Sequence, residues 1–320
     1  MTTLVTGSTG FIGRALARAG DRRMARRPTD GEIRGDLLDP ASLEAACEGV
    51  EAVFHCAGYA HAVFSADPAL FWKVNYEGTR NLLEAAGKSG VRRFVFLSSV
   101  GAMAGPGEAC VDEDHPGQPV SPYGKAKRAA EKAVLDAGAK YAMHVVNLRL
   151  TLVYGKGAPG NMAYMVRGIR AGWLPPLPET KNRRSIVHVS DVVSAMRFVV
   201  EEARANGRTY IVADPHPYSG REIYDALRKT LGMPPARWRI PAKLFRSCGR
   251  AGDAFSAVLA TVSGRDLPRP SGLVSRFLDS ACYSPERIKR ELGWSAKIPL
   301  AEGIREMLSD DASPLCGGER

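Results

Sequence analysis

The apolar residues of this chain come in short runs separated by stretches of helical spacing. Met1 to Val5 carries the first run and reads as a buried strand. A glycine-rich turn follows, and then the helical segment Arg14-Ala15-Leu16-Ala17-Arg18-Ala19. The segment Arg22 to Pro28 holds a second strand, with Gly35-Asp36-Leu37-Leu38-Asp39 after it. Ala52-Val53-Phe54-His55-Cys56-Ala57-Gly58 is a third apolar strand that ends in small residues. Val74 to Leu83 opens a helix, and Arg93-Phe94-Val95-Phe96-Leu97-Ser98-Ser99 is another buried strand with hydroxyls at its carboxyl end. This alternation predicts an α/β fold around a parallel, doubly wound sheet.

The turn after the first strand reads Thr6-Gly7-Ser8-Thr9-Gly10-Phe11-Ile12-Gly13. Gly7 allows the tight turn, Gly10 lets backbone approach a pyrophosphate, and Gly13 lets the helix pack close to the strand. Between an apolar strand and a helix, this spacing predicts a dinucleotide site. The expected contacts are Gly7, Thr9, Gly10, Phe11, Ile12 and Gly13.

A second pattern lies in Ser121-Pro122-Tyr123-Gly124-Lys125-Ala126-Lys127. Tyr123 and Lys127 are four residues apart, so on a helix they share a face. A phenol there can exchange a proton with a hydroxyl or carbonyl, and a neighbouring ammonium lowers its pKa.

Taken together, these motifs resemble the extended short-chain dehydrogenase/reductase family, the nucleotide-sugar epimerase, dehydratase and reductase group. The resemblance runs from Thr2 to about Met307. It rests on the glycine loop, Gly35-Asp36-Leu37, His55-Cys56-Ala57, Asn75, Ser99, Tyr123, Lys127, Leu148-Arg149, Val153 to Gly157 and Arg184 to Val192. Asn182-Arg183-Arg184-Ser185 and Ile288 to Trp294 look most like bacterial UDP-sugar 4-reductases and 4-epimerases. The resemblance implies a Rossmann-type sheet with a smaller C-terminal substrate-binding lobe. Residues 1–155 and about 185–203 would form the dinucleotide domain. Residues of about 156–184 and 204–308 would form the lobe, and 309–320 a disordered tail. It implies that Ser99, Tyr123 and Lys127 are catalytic, with Ser99 and Tyr123 on the reacting sugar oxygen and Lys127 on the nicotinamide ribose. Further cofactor contacts would be Asp36, Leu37, Cys56, Ala57, Gly58 and Asn75. Asn161, Arg184 and Arg276 would bind substrate, with Arg269 as the other candidate beside Arg276, and Tyr59 and His61 could border the sugar. Asp191 is expected to cap a helix and His188 to be structural.

The family's reactions separate at a few positions. Dehydratases follow the strand-end hydroxyl with an Asp-Glu pair, whereas Ser99 is followed by Val100-Gly101-Ala102-Met103. Many epimerases place an Asn where this chain has Thr151 or Leu152. Reduction at sugar C4 is therefore the first expectation, 4-epimerisation the second, and a non-catalytic cofactor sensor the third. The second strand ends without an acid, and Arg26 and Arg27 stand there instead. NADP is expected, with NAD possible.

Composition narrows the rest. The net charge of +10 is spread along 320 residues. It reads as a solvated surface that favours an anionic substrate rather than nucleic acid. The six cysteines have no paired spacing and read as free thiols in a reducing, cytoplasmic setting, with no metal site. No run is long enough to span a bilayer. The semi-apolar stretch Ile240 to Val262 reads as a lobe helix, with a membrane-surface role as the alternative. A homodimer is possible.

Overall fold

The computed structural model describes residues 1–60, 67–103, 109–236, 240–263 and 270–309. In chain order, β1 is Thr3–Thr6, α1 Phe11–Leu16, β2 Arg22–Ala25, β3 Glu32–Arg34 and α2 Pro40–Cys47. Then come β4 Ala52–His55, α3 Pro68–Trp72, a π-helical turn Lys73–Glu77, α4 Gly78–Lys88 and β5 Arg93–Ser99. After β5 follow α5 Pro122–Tyr141, β6 His144–Leu150, β7 Leu152–Tyr154, α6 Asn161–Arg170, β8 Ile186–His188 and α7 Val189–Val199. The chain ends with β9 Arg208–Val212, α8 Gly220–Thr230, α9 Ala242–Ser263, α10 Pro270–Leu278, α11 Glu286–Leu292 and α12 Leu300–Leu308.

Seven strands form one parallel sheet in the order β3-β2-β1-β4-β5-β6-β9. Both faces are covered, which is why β1 and β4 are apolar and buried along their length. On one face Val5, Phe54, Val95 and Val146 pack against Val192, Met196 and Val199 of α7. On the other, Leu4, Val53 and Phe94 pack against Leu43 of α2, Leu82 of α4 and Val134 of α5. The strand order reverses between β1 and β4. The crevice outside the carboxyl ends of those strands is where open sheets of this kind bind ligands.

The fold class agrees with the sequence pattern, but four details differ. Glu32–Arg34 is an additional edge strand, so Gly35-Asp36-Leu37 follows β3 rather than the second strand. Three half-exposed or exposed residues carry no apolar run, and the pairing with β2 alone makes them a strand. The expected return of 185–203 to the large sheet holds for its helix only: α7 packs there, while β8 pairs with β7 in a separate two-stranded ribbon. The sheet edge is instead filled by β9, which the expected bounds place in the smaller lobe. Ile288, Leu292 and Trp294 from α11 and the residues after it also join the large core. The smaller lobe packs Met162, Met165, Leu177, Tyr224, Phe277 and Ile304 around Tyr154. Asp191 is not the cap of α7. That position is His188, whose ring accepts from the Ser190 N–H at 3.4 Å. The Asp191 carboxylate accepts instead from the N–H groups of Lys297 and Ile298, at 2.9 and 3.0 Å, and pins that segment to α7.

The fourth difference is covalent. Cys110 and Cys282 form a disulfide, so the expectation of six free thiols fails for these two. Their separation of 172 residues hides the pairing from any local spacing rule. A bridge between Val111 and Tyr283 brings the two segments together, with Val111 N–H donating to the Cys282 carbonyl at 3.1 Å. Cys47, Cys56 and Cys248 are free. Among the described residues no helix is long and apolar enough to cross a membrane. The α9 helix packs on α10, and Asp253 accepts from the Ser271 N–H at 2.9 Å.

A disulfide closing so long a loop stabilises by about 2–4 kcal/mol. Cys110→Ser and Cys282→Ser should each lower the thermal midpoint under non-reducing conditions, and the double variant should lower it no further. Additive losses in the double variant would contradict the cross-link.

Candidate active site

Local backbone geometry explains the glycine loop. Gly7 has φ +66°, and a Cβ there would lie 2.7 Å from the Ala57 nitrogen. A Cβ on Gly13 would run into the Gly7 carbonyl. The loop is closed by Gly10 N–H donating to the Gly7 carbonyl at 2.9 Å. What remains is a bare backbone trough, and Phe11 and Ile12, whose first-turn N–H groups lack helical acceptors, line it. The trough belongs to a cavity of about 350 Å³ that also takes in Cys56, Gly58, Leu97, Ser99, Tyr123 and Lys127. A cradle that side chains would fill suits a pyrophosphate. The residues present fit a dinucleotide. Thr9 is exposed at the loop tip, and Ala57 packs against the turn.

Buried polar residues hold the β4 side in place. His55 bridges Thr6 and Thr79 through its two ring nitrogens, at 2.8 and 2.9 Å. Burial, aided by the charge on Lys127, pulls its pKa down to about 3, so it is neutral. Asn75, in the π-helical turn, accepts from the Tyr59 N–H at 2.8 Å and donates to the Tyr59 carbonyl at 2.9 Å. Its amide therefore clasps the loop beyond Gly58. The Cys56 thiol is pushed up to about 12 by burial, against the opposing charges of Lys127 and Arg197, and is no nucleophile.

The proton-handling side chains come from β5 and α5. Ser121 caps α5, accepting from the Gly124 N–H at 3.0 Å, and Pro122 occupies the first turn. Gly124 packs so tightly on the turn after β5 that a Cβ would strike the Gly101 carbonyl. This contact brings Tyr123 and Ser99 to the same cavity wall. Ser99 also accepts from the Gly101 N–H at 3.1 Å. Phe71 meets Tyr123 edge-on at 5.8 Å, and Tyr59 packs on Phe71 at 5.3 Å, forming an aromatic wall. Met103 points away into a buried cluster with Ile211 and Tyr283.

Lys127 is 6% exposed. Its ammonium donates to the Leu97 carbonyl at 2.8 Å and lies 4.6 Å from the centre of the Phe96 ring. Burial lowers its pKa to about 8, opposed by Glu131 and Cys56. The expectation that Lys127 depresses the Tyr123 pKa is corrected here. Burial raises the phenol's pKa, and the Ser99 side chain is what opposes it. The Lys127 ammonium is engaged by the Leu97 carbonyl instead.

One group escaped the sequence reading. Glu131, a further turn along the Lys127 face, is 3% exposed. Its carboxylate receives Arg149 Nε and Nη2 at 2.9 and 2.8 Å and the Ser98 hydroxyl at 2.6 Å. The i, i+4 spacing from Lys127 was the available signal.

At the adenosine end, Arg26 and Arg27 are exposed just beyond β2. Asp36 accepts from the Leu38 N–H at 2.9 Å, and buried Leu37 packs under Gly78. The second strand does end without an acid, and the nearest one to the glycine loop comes from the next strand. Glu32 lies beside the glycine loop, accepting from Thr29 N–H and hydroxyl at 3.0 Å each and from Ser8 at 3.3 Å. It comes from β3, the strand the apolar pattern does not reveal.

On the substrate side, Asn161 opens α6 behind Gly160, and Pro159 lines the cavity. Arg184 donates to the Asp279 carbonyl at 2.7 Å, and Arg246 pairs with the Asp279 carboxylate at 2.7 Å. Burial lowers the Arg184 pKa, Asp279 opposes this, and the charge of exposed Arg276 adds to the lowering. Arg184 and Arg246 thus meet at Asp279, one on its carbonyl and one on its carboxylate, with Arg276 close enough for its charge to act on Arg184. His188 is buried, 5.1 Å from the Tyr154 ring. Thr151 and Leu152 line the cavity at the expected epimerase position. His61, Arg269 and the tail 310–320 lie outside the described residues.

A buried ammonium costs stability. The Lys127 pKa is about 8 in the folded chain against an ordinary value of 10.5. The folded state therefore sheds this proton first. The penalty is full below pH 8, shrinks as pH rises to 10.5 and vanishes above it. Lys127→Met should be more stable than the wild type at pH 7 in urea unfolding, by an amount that dwindles toward pH 10. A variant less stable at pH 7 would contradict this.

Comparison with known proteins agrees with this geometry. Residues 3–213 match the family described as NAD dependent epimerase/dehydratase. The UDP-glucose 4-epimerase of Vibrio cholerae is 29% identical over 329 residues, covering 95% of this chain and 93% of that protein. The solved structure of MoeE5 in complex with UDP-glucose and NAD superposes with a TM-score of 0.74 at 24% identity, covering 97% of this chain and 98% of that one. RMD from Pseudomonas aeruginosa, complexed with NADPH, gives 0.73 at 23% identity, covering 98% and 100%. The chain is an enzyme of the NAD dependent epimerase/dehydratase family, the extended short-chain dehydrogenases/reductases.

Proposed function

We propose that this enzyme reduces the C4 ketone of a UDP-4-keto-6-deoxy-(N-acetyl)hexosamine, using NADPH. The observation that carries this reading is the single cavity in which the glycine trough faces Ser99, Tyr123 and Lys127. When bound, the nicotinamide supplies the hydride, and the protein supplies position and the proton. Ser99 donates a hydrogen bond to the C4 oxygen and fixes it beside Tyr123. The Tyr123 phenol, kept protonated by its burial, passes its proton to that oxygen as the carbonyl is reduced. Lys127 offers its ammonium to the ribose hydroxyls from below. Arg184 and Arg276, aided by Arg246, hold the diphosphate, and Asn161 borders it. Thr151 in place of an amide favours reduction over epimerisation.

Epimerisation of a UDP-hexose at C4 is the second reading, favoured by the likeness to the Vibrio cholerae enzyme. It uses the same three side chains with no net consumption of cofactor. A sensor without activity has no use for Ser99, Tyr123 and Lys127 gathered in one cavity with the glycine loop.

Incubation with NADPH and the 4-keto sugar nucleotide should oxidise one cofactor per product, followed by nicotinamide absorbance. Conversion of UDP-hexoses without cofactor turnover would replace the reductase with the epimerase. Tyr123→Phe and Ser99→Ala should each cut kcat/KM by about 10²–10⁴-fold. Because Lys127 in the free enzyme loses its charge at about pH 8, kcat/KM should fall above that pH. A profile flat to pH 10 would remove the charged lysine from the mechanism.

A further inference from the structure

An apolar groove opens at the far end of the smaller lobe. We propose that this face docks on an anionic lipid bilayer, with Trp173 and Leu244 entering the headgroup layer and Lys243 and Arg250 holding the lipid charges. The inference goes beyond the reaction and is independent of which sugar is bound.

The groove measures about 330 Å³ and lies between the connection after α6, the first turns of α9 and the end of α10. Trp173, Leu244, Phe245, Cys248, Val274 and Phe277 line it. Two glycines shape it. A Cβ on Gly249 would lie 3.0 Å from a Val274 methyl, so α9 and α10 close together there. A Cβ on Gly168 would lie 2.8 Å from the Trp173 indole, which thus rests on the end of α6 and meets the Tyr164 ring edge-on at 4.8 Å. The indole is held in place, yet Trp173 is 48% exposed and Leu244 54%. The groove is separate from the reacting groups. α6 opens at Asn161 on the substrate side and runs for ten residues, so its other end lies about 15 Å along the axis. Trp173 follows that other end.

Charge selects the occupant. The stretches 167–176, 240–254 and 270–279, which form the groove, hold six basic residues and two acidic ones. Both acids are engaged: Asp279 pairs with Arg246, and Asp253 accepts from the Ser271 N–H. Arg167, Lys243 and Arg250 are exposed, and among the described residues they have no ion pair. Lys243 and Arg250 are seven residues apart and share a face of α9. Leu244 and Cys248, one turn apart, border that face on the groove side, and both are exposed. An exposed helix with one apolar and one basic border settles at a headgroup layer, and an indole favours the same depth. A second copy of this chain is the poorer occupant. Across a two-fold contact the patch meets itself, which sets Lys243 and Arg250 against their own likes.

Vesicles test this on the full chain. In co-sedimentation, vesicles of phosphatidylcholine with about one-third phosphatidylglycerol should bind it at least about tenfold more tightly than phosphatidylcholine alone, and high salt should release it. Lys243→Glu/Arg250→Glu should weaken binding by at least about twenty-fivefold, at about fivefold per basic residue lost, with the thermal midpoint unchanged. Brominated phosphatidylcholine in the anionic vesicles should quench the indole fluorescence of the wild type. Trp173→Phe, which keeps an aromatic ring in the groove, should still sediment but lose most of that quench. No sedimentation with anionic vesicles would overturn the proposal, as would binding that survives the double charge reversal or a quench that survives Trp173→Phe. A lipid-free dimer that Leu244→Ser dissociates would assign the face to a second copy and overturn it as well. None of these outcomes bears on hydride transfer, which is measured without lipid.

Discussion

The site depends on an ammonium held where water is scarce. Lys127 lies under the carboxyl end of β5, against the Leu97 carbonyl and the Phe96 ring. That position is tolerable because Glu131 stands one turn away and raises the lysine's pKa. Glu131 is itself buried and needs Arg149 on the neighbouring strand to match its charge. Removing either partner of such a pair leaves an uncompensated charge, so the pair stabilises chiefly by not being broken. Ser98, one residue before Ser99, is tied into the same carboxylate. The end of β5, the face of α5 and the middle of β6 are thereby locked in register around the reacting groups.

Tight backbone contacts do for position what this network does for charge. Gly124 against Gly101 sets the distance from α5 to the turn after Ser99, and Gly7 against Ala57 and Gly13 against Gly7 keep the trough open. None leaves room for a Cβ without backbone movement. The smaller lobe is attached by Asp191 and by the Cys110–Cys282 cross-link, which joins the segment between Ser99 and Tyr123 to the strand-like stretch pairing with Arg184. The large sheet and the smaller lobe are thus tied by covalent and hydrogen-bonded links.

What the amino-acid pattern conveyed follows the same division. Apolar runs such as Leu4-Val5 and Val53-Phe54 announce buried parallel strands because both faces of the sheet are covered. Glycines and the Tyr123–Lys127 spacing announce local geometry. The pattern missed whatever depends on distant partners. Glu32–Arg34 becomes a strand only by pairing with β2, β9 leaves the lobe for the sheet edge, and Cys110 finds Cys282 across the fold. The sign of the Tyr123 shift was missed for a related reason. Spacing places a lysine beside a tyrosine, but burial, which spacing does not show, raises the phenol's pKa.

The proposed reaction delivers hydride to sugar C4 with Tyr123 as the proton source. The most direct measurement follows the isotope. With NADPH deuterated at the transferred position and the UDP-4-keto sugar as substrate, mass spectrometry and NMR of the product should find one deuterium, on C4. Unlabelled product, or deuterium retained in the nicotinamide, would contradict it.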